Sequence, residues 1–409
     1  MSAVPAAARA VEPRDAVLGV APRLAVEPAS VEEAADAMRA FARDRLAVVF
    51  VGGGTDMELG AAPARLDAVL RTTGLARIRE HAPSDQIVAV QGGMRLADLQ
   101  RHLAGHHQRL ALDPPFPDRA TVGGIVAANA FGPRRTRYGP VRDLVIGITI
   151  VRADGAVAHG GGKVVKNVAG FDLPRLFCGS LGTLGLVAEV VFRLHPLPEA
   201  SGTAVFEGLD ARDVAETLPV LRDLGVEPTA VAALPSGGKF ALAVRFEGFA
   251  PGVKAQVERT LARAGAGAKV EGGDEAALWS RHDAVRCAGD VRAKATFAPA
   301  SLARAADALA PVAGALRGGA IVLHPGPGIA FVSGSLDGAD RAAAAIESAR
   351  SALAPLAGGA LVLSAAPAEL RARTSPWGPP PQSLEVMRRL KKELDPEARL
   401  APGRFVGGI

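Results

Sequence analysis

The sequence predicts an α+β protein of two domains, and three observations carry that expectation. At 409 residues and 49% hydrophobic, the chain has the mass for two cores, because single cores stop growing at about 250–300 residues. Its first half alternates short apolar runs, glycine loops and helical patterns, as packed α and β layers do. Pro196 and Pro198 then interrupt the chain, so the expected domains are 17–198 and 199–409.

Ser30 followed by Glu33 reads as a capping box, and Val31, Ala34, Met38 and Phe41 recur at helical spacing, so a helix is expected over 30–43. The apolar run 47–51 opens into Gly52, Gly53, Gly54, Thr55 and Asp56, a buried strand entering a glycine loop. Further strands are expected at 66–70 and 87–90, before a helix with Leu96, Leu99 and Leu103 on one face. Prolines and glycines exclude a regular helix from Asp113 to Gly139. Runs at 144–151 and 156–159 flank Asp154 and Gly155, a two-residue signal for a tight hairpin, and 186–194 reads as another strand. In the second domain strands are expected at 240–246, 320–323 and 329–332 with alanine-rich helices between them. A proline-rich connector at 375–381 leads to a final helix over 382–394. No internal repeat is detected.

Composition removes several function classes. Aromatics are only 4% of the chain, a poor stacking surface for single-stranded nucleic acid, and no nucleic-acid partner is expected. The net charge of +5 is spread along the chain, and the basic run 388–392 reads as a solvated helical face. Cys178 and Cys287 cannot supply the four thiolates of an ordinary iron–sulfur cluster. The first fourteen residues lack an apolar core of signal-peptide length, and no stretch approaches the ~20 apolar residues of a membrane span. The expected location is cytoplasmic, or peripheral to the inner membrane through partners.

Four glycine clusters fall in the first domain: Gly52 to Gly54, Gly123 with Gly124, Gly160 to Gly162, and Gly179, Gly182 and Gly185. Glycine lets a backbone approach a phosphate and aim N–H donors at it. The spacings complete neither G-x-G-x-x-G nor a P-loop, which disfavours Rossmann and P-loop enzymes.

The order of the clusters carries a resemblance. Val51-Gly-Gly-Gly-Thr-Asp56, Leu112-Asp-Pro-Pro115, Thr121-Val-Gly-Gly124 with Asn129, Gly132-Pro-Arg-Arg135 and Gly179-Ser-Leu-Gly-Thr-Leu-Gly185 together resemble the FAD domain of the vanillyl-alcohol oxidase and p-cresol methylhydroxylase type. Lys163-Val-Val-Lys-Asn-Val-Ala-Gly170 with Phe171 and Asp172, then Leu394-Asp-Pro396 and Pro402-Gly-Arg404, resemble the small FAD-binding subunit of bacterial glycolate oxidase. The resemblance implies a two-subdomain FAD-binding domain followed by an α+β, ferredoxin-like C-terminal domain, with 382–409 packing back near the flavin. It implies that Gly52, Gly53, Gly54, Thr55, Thr121, Gly123 and Gly124 serve the FAD pyrophosphate. Asp56 and Asn129 belong to the same motifs. Asp113, Pro114, Pro115 and the stretch with Gly179, Gly182, Thr183, Gly185 and Val187 would line the flavin, ribityl and adenine portions. Partners would be a larger FAD-bearing catalytic subunit and an iron–sulfur subunit, with a small 2-hydroxy acid as substrate.

Other candidates stay open at this stage. The guanidinium forks of Arg134 and Arg135 suit a phosphate, a substrate carboxylate, or a structural pairing with Asp143 or Asp172. Lys163 and Lys166 are weaker candidates of the same kind. His102, His106 and His107 have helical spacing but flank Gly105 at a helix end and read as surface histidines, so no metal is expected. His282 and His324 are the candidate bases, each without a partner at fixed spacing, and the larger subunit's His-x-x-Asp-Gly-Asn-x-His string is absent. Phe171 stands where that subunit usually has Tyr, and Ala401 where Asn usually precedes Pro-Gly. No His or Cys lies in the 52–56 loop, so FAD is expected to be noncovalent. The reading is an FAD-dependent oxidoreductase, a subunit of a complex that takes glycolate to glyoxylate. The alternatives are a self-sufficient 2-hydroxy-acid dehydrogenase and a noncatalytic flavin-holding or assembly subunit.

Overall fold

The structure, a computed structural model, describes residues 7–163, 170–264 and 267–409. Lys166 and most of the 163–170 string lie outside them. The first part of the chain runs β1 (Ala8–Arg9), β2 (Leu24–Val26), α1 (Val31–Arg43), β3 (Val48–Val51), β4 (Ala68–Arg71), β5 (Ile78–Ala82), β6 (Ile87–Gln91), α2 (Leu96–Ala104) and β7 (Gln108–Arg109). It continues through α3 (Val122–Ala128), α4 (Arg135–Tyr138), α5 (Val141–Leu144), β8 (Val145–Val151), β9 (Val157–Gly161), α6 (Leu173–Phe177), β10 (Leu186–Arg193) and β11 (His195–Pro196). α3 corrects the exclusion of a regular helix between Asp113 and Gly139: no proline falls between Pro117 and Pro133, and the Thr121 cap starts a helix that tolerates Gly123 and Gly124. The second part holds β12 (Ala200–Leu209), α7 (Ala211–Asp223), β13 (Ala230–Ser236), β14 (Lys239–Gly248), α8 (Ala250–Ala264), β15 (Ala268–Val270), α9 (Gly272–Arg286) and β16 (Val291–Thr296). Then come α10 (Leu302–Gly314), β17 (Leu316–His324), β18 (Ile329–Leu336), α11 (Ala339–Leu353), β19 (Ala360–Ala365), α12 (Ala368–Arg371) and α13 (Leu384–Leu394).

These elements form two compact units. The first comprises the described residues of Met1–Gly132, Gly139–Leu197 and Pro379–Ile409, and the second comprises those of Pro133–Tyr138 and Pro198–Gly378. The division differs from a single break at 198, because the last segment is part of the first unit and residues 133–138 are part of the second.

In the first unit α1 forms where its apolar stripe predicts, with Val31, Ala34, Met38 and Phe41 buried. Ser30 Oγ accepts the Glu33 N–H at 3.1 Å, whereas the Glu33 carboxylate takes the Ala29 N–H at 2.9 Å. The reciprocal bond of a capping box is thus displaced by one residue. The helix packs on a sheet of order β1-β2-β4-β3, in which β2, β4 and β3 are parallel, and its core extends to Val151, Leu186 and Leu400. Val48 N–H donates to Arg399 O and Ala401 N–H to Val48 O, both at 2.8 Å. The C-terminal segment therefore adds to the β3 edge.

A second sheet, β5-β6-β10-β8-β9, is antiparallel. Its β8–β9 connection is not the two-residue turn that Asp154-Gly155 suggests. Arg152 N–H donates to Ala156 O and Gly155 N–H to Arg152 O, which leaves a three-residue loop with Gly155 at φ +80°, the left-handed geometry such loops place on glycine.

The second unit is one eight-stranded sheet of order β15-β12-β14-β13-β17-β18-β16-β19. β12-α7-β13-β14-α8-β15 and β16-α10-β17-β18-α11-β19 each follow the β-α-β-β-α-β ferredoxin-like path. The two halves join where Ala233 pairs with Leu323, so the unit carries a topological repeat that the sequence pattern does not display. Helices α7, α8, α10 and α11 cover one core through residues such as Val214, Val257, Leu309 and Ile346, and α9 places Trp279 in a second, smaller cluster with Ala230, Ala232, Leu234 and Ala243.

Candidate functional site

β3 delivers the chain into the loop Gly52 to Asp56, which forms one wall of a cleft in the first unit whose empty space, open solvent included, is about 740 Å³. Thr121, Gly123 and Gly124 at the start of α3 form a second wall, and Gly182, Gly185 and Val187 a third. Phe50, Met57, Thr72, Ala127, Leu181 and Arg404 complete much of the lining. Eleven of the eighteen residues expected at the cofactor meet here: Gly52, Gly53, Gly54, Thr55, Asp56, Thr121, Gly123, Gly124, Gly182, Gly185 and Val187.

Three of the glycines are required for a reason other than ligand approach. A Cβ on Gly53 would sit 1.7 Å from Arg119 O, one on Gly52 2.2 Å from Thr121 Oγ1, and one on Gly123 2.8 Å from Gly92 O. At Gly53 and Gly123 the loops are locked backbone to backbone, and at Gly52 the backbone is locked against the Thr121 side chain; glycine permits that interlock. Gly54 is different, since φ is +74° and nothing lies within 4 Å of its Cβ position.

The N–H groups at the start of α3 are already committed. Gly123 N–H donates to Gly92 O at 2.7 Å, and Gly124 N–H to Thr121 Oγ1 at 3.3 Å. Thr121 therefore serves as the helix cap, and its own hydroxyl hydrogen is what this turn retains for a ligand. Thr55 Oγ1 donates to Asp56 Oδ2 at 3.3 Å.

The remaining expected residues lie elsewhere. Asn129 closes α3 at φ +50° and accepts a contact from Cys178 Sγ at 3.5 Å. Gly179 N–H donates to Val126 O and Leu181 N–H to Ala127 O, both at 2.9 Å, which hooks this loop onto the end of α3. Thr183 is buried with its hydroxyl on Ser180 O at 2.7 Å. Asp113 backs onto Gly132, where a Cβ would lie 2.0 Å from Asp113 O. Pro114 is buried and Pro115 half-buried, and neither Asp113 nor these prolines lines the cleft. Arg134 belongs to the second unit, where its Nη2 donates to Glu247 Oε1 at 3.0 Å rather than to Asp143 or Asp172. Lys163 pairs with Glu80, and Phe171 is 90% exposed.

Arg404 was legible only as part of a C-terminal motif. Its buried Nη2 donates to Met57 O and Leu59 O, each at 2.9 Å, which fixes a guanidinium in the cleft wall. Lys391, expected on a solvated face, is instead buried. Its Nζ donates to Thr183 O, Leu400 O and Asp395 Oδ2 at 2.9, 2.8 and 2.7 Å, and burial lowers its pKa against the pull of Asp395.

The two candidate bases meet in the second unit. His282 Nε2 and His324 Nε2 are 2.8 Å apart, with His282 Nδ1 2.9 Å from Asp283 Oδ1. Both imidazoles are 0% exposed. Burial, then the charges of His282, Arg286 and Arg135, holds His324 well below the ordinary histidine value, so it is neutral.

Residues 22–161 match the FAD binding domain family. The cofactor of the first unit is FAD, and the cleft fits it: glycine-walled, largely apolar, with one hydroxyl and one guanidinium for a diphosphate. Glycolate oxidase subunit GlcD of Bacillus subtilis is 32% identical over 243 residues, 56% of this chain and 52% of that protein. D-lactate dehydrogenase of Archaeoglobus fulgidus is 38% identical over 185 residues, 43% of this chain and 41% of that one. Glycolate oxidase subunit GlcE of Escherichia coli is 39% identical over 125 residues, 30% of this chain and 36% of that protein. The chain thus spans about half or less of the length of these relatives. Among solved structures, an alkyldihydroxyacetonephosphate synthase aligns with TM-score 0.71 at 18% identity over 93% of this chain and 76% of its own. A chitooligosaccharide oxidase aligns with TM-score 0.65 at 14% identity over 92% and 90%. The fold is the p-cresol methylhydroxylase-type FAD-binding fold followed by an α+β domain.

Proposed function

We propose that the chain is an FAD-dependent oxidoreductase acting on a small 2-hydroxy acid, glycolate or D-lactate, as the flavin-binding subunit of a glycolate oxidase-like complex. The observation that carries the reading is the FAD cleft, with Arg404 and the Thr121 hydroxyl placed in the walls of an interlocked glycine cradle. Relatives named for glycolate and D-lactate oxidation support the substrate class. FAD, when bound, would supply the redox chemistry, while this chain's residues supply orientation and electrostatics. Residues of the 52–56 loop and Arg404 would hold the diphosphate, and the apolar walls would exclude water. Neither histidine nor cysteine is among the described residues lining the cleft, which supports noncovalent binding. Cys178 and Cys287 are too few for a cluster, which favours electron exit through an iron–sulfur partner, with a larger flavin subunit as the site of oxidation. Among the described residues no helix is long and apolar enough to cross a membrane, and the proposed location is cytoplasmic, with membrane association through partners.

A second reading, the self-sufficient dehydrogenase, is favoured by the Asp283–His282–His324 chain, which has the form of a proton relay. The complete burial of both imidazoles opposes it, since a base must reach the proton it removes. Anaerobic glycolate and D-lactate, mixed with the isolated FAD-loaded chain, separate the two. The subunit reading expects little bleaching of the flavin absorbance until the partner subunits are co-expressed. Rapid bleaching of the isolated chain that His282→Ala or His324→Ala removes would establish the dehydrogenase instead.

A further inference from the structure

Near the end of α2, the fold adds a histidine from β5 to two that stand at helical spacing. His81 leaves β5, His102 lies on the last turn of α2, and His106 lies just beyond it. One ring nitrogen of each falls within 4.8 Å of the other two. His81 Nδ1 and His102 Nε2 are 3.2 Å apart, close to the about 3.3–3.4 Å edge of a tetrahedron whose zinc–nitrogen bonds are about 2.0–2.1 Å.

The tautomer of His81 is set from behind. Gln108, buried, donates its amide N–H to Pro83 O at 2.7 Å, so its Oε1 is left to accept from His81 Nε2 at 2.9 Å. With the proton held on Nε2, the His81 lone pair sits on Nδ1 and faces His102. Metal-bound histidines are characteristically oriented in this way by a hydrogen bond on the far nitrogen. His102 and His106 are exposed, which leaves the remaining coordination positions to water.

We propose that His81, His102 and His106 form a site for a divalent first-row transition ion, with zinc as the fitting case because three neutral imidazoles suit its borderline character. The ion ties β5 to the turn after α2. The inference is independent of the function proposed above and departs from the reading of His102 and His106 as surface histidines.

The test is calorimetric titration of Zn²⁺ into the tag-free, FAD-loaded full chain. One equivalent is expected to bind and to raise the melting temperature of the protein. His102→Ala and His106→Ala alter exposed side chains and keep the fold, and each should weaken binding at least tenfold, by about the factor that outer-shell changes alone produce. Gln108→Leu should weaken it about 10–100-fold with all three histidines intact, while His107→Ala leaves it unchanged. Absence of a stoichiometric site at millimolar zinc, or affinity unaffected by both exposed-histidine variants, would overturn the proposal. Equal affinity in a folded Gln108→Leu variant would also count against it.

Discussion

Lys391→Met tests whether one buried ammonium secures the C-terminal segment to the FAD-binding unit. The residue is 7% exposed, and its three acceptors belong to the 179–185 loop, to α13's own end and to the strand-like segment at Leu400. Methionine keeps the length of the side chain and removes the charge, leaving the Asp395 carboxylate buried with the Leu400 N–H at 2.7 Å as a remaining donor. Removing one partner of a buried ion pair costs about 3–5 kcal/mol, and the surviving N–H places the expectation at the lower end. For a unit of this size, that energy corresponds to a fall in melting temperature of roughly 6–20 °C. Urea unfolding followed by flavin fluorescence and circular dichroism reads both stability and FAD release. In Lys391→Met/Asp395→Asn the stranded charge is gone while an acceptor for Leu400 N–H remains, so part of the loss should be recovered. A single variant within about 1 kcal/mol of the parent, or a double variant no better than the single, would refute the reasoning.

Three further outcomes follow from the same unit. Gly53→Val should fail to fold rather than yield a soluble flavin-free protein, because its Cβ would lie 1.7 Å from a backbone oxygen; a folded variant seen by circular dichroism would show that the interlock can yield. Thr121→Ala should lose about 1 kcal/mol of stability with the helix cap and release FAD more readily in equilibrium dialysis, and Thr121→Ser should restore both; a Ser variant no better than Ala would remove the hydroxyl from the account. Burial raises the Asp15 pKa, but hydrogen bonds from Arg9, the Glu12 N–H and Arg71, with Arg71's charge, outweigh it and hold the carboxyl well below its ordinary range. A depressed folded pKa gives stability that is complete above the unfolded value of about 3.9 and lost as pH falls towards the folded one. The parent's urea midpoint should therefore drop more steeply below about pH 4 than that of Asp15→Asn, and parallel slopes would refute it.

Elements with a one-sided apolar pattern were legible because burial dictates the pattern. α1, α2 and β3 form where Met38, Phe41, Leu99 and Val49 recur at the period of their element. What escaped was set by pairings that the residue pattern does not encode. Lys391 reads as part of a basic, solvated stretch until the turn from Asp395 to Leu400 closes over it. The β8–β9 loop length depends on whether Arg152 and Ala156 pair, and Asp154-Gly155 alone does not encode that. The duplicated path of the second unit leaves no trace because aliphatic strands and alanine-rich helices satisfy the same layers with many sequences. His81 is 21 residues from its neighbour His102, beyond any local spacing.

The glycines show most directly where reading residues for chemistry reaches its limit. A glycine reports that backbone must come close to something; it does not report to what. At Gly52, Gly53 and Gly123 the neighbour on the Cβ side is the protein itself, so the missing side chains let the cradle close on itself. Because Gly123 and Gly124 spend their N–H groups within the fold, we propose that diphosphate charge is met by the 52–56 loop, the Thr121 hydroxyl and Arg404. That assigns the rigid part of the site to glycine and the selective part to two side chains, one of them 283 residues beyond the other in sequence yet in the wall of the same cleft. A preassembled wall needs little ordering when the cofactor arrives, and the C-terminal segment, bound along β3 and anchored by Lys391, is what completes it.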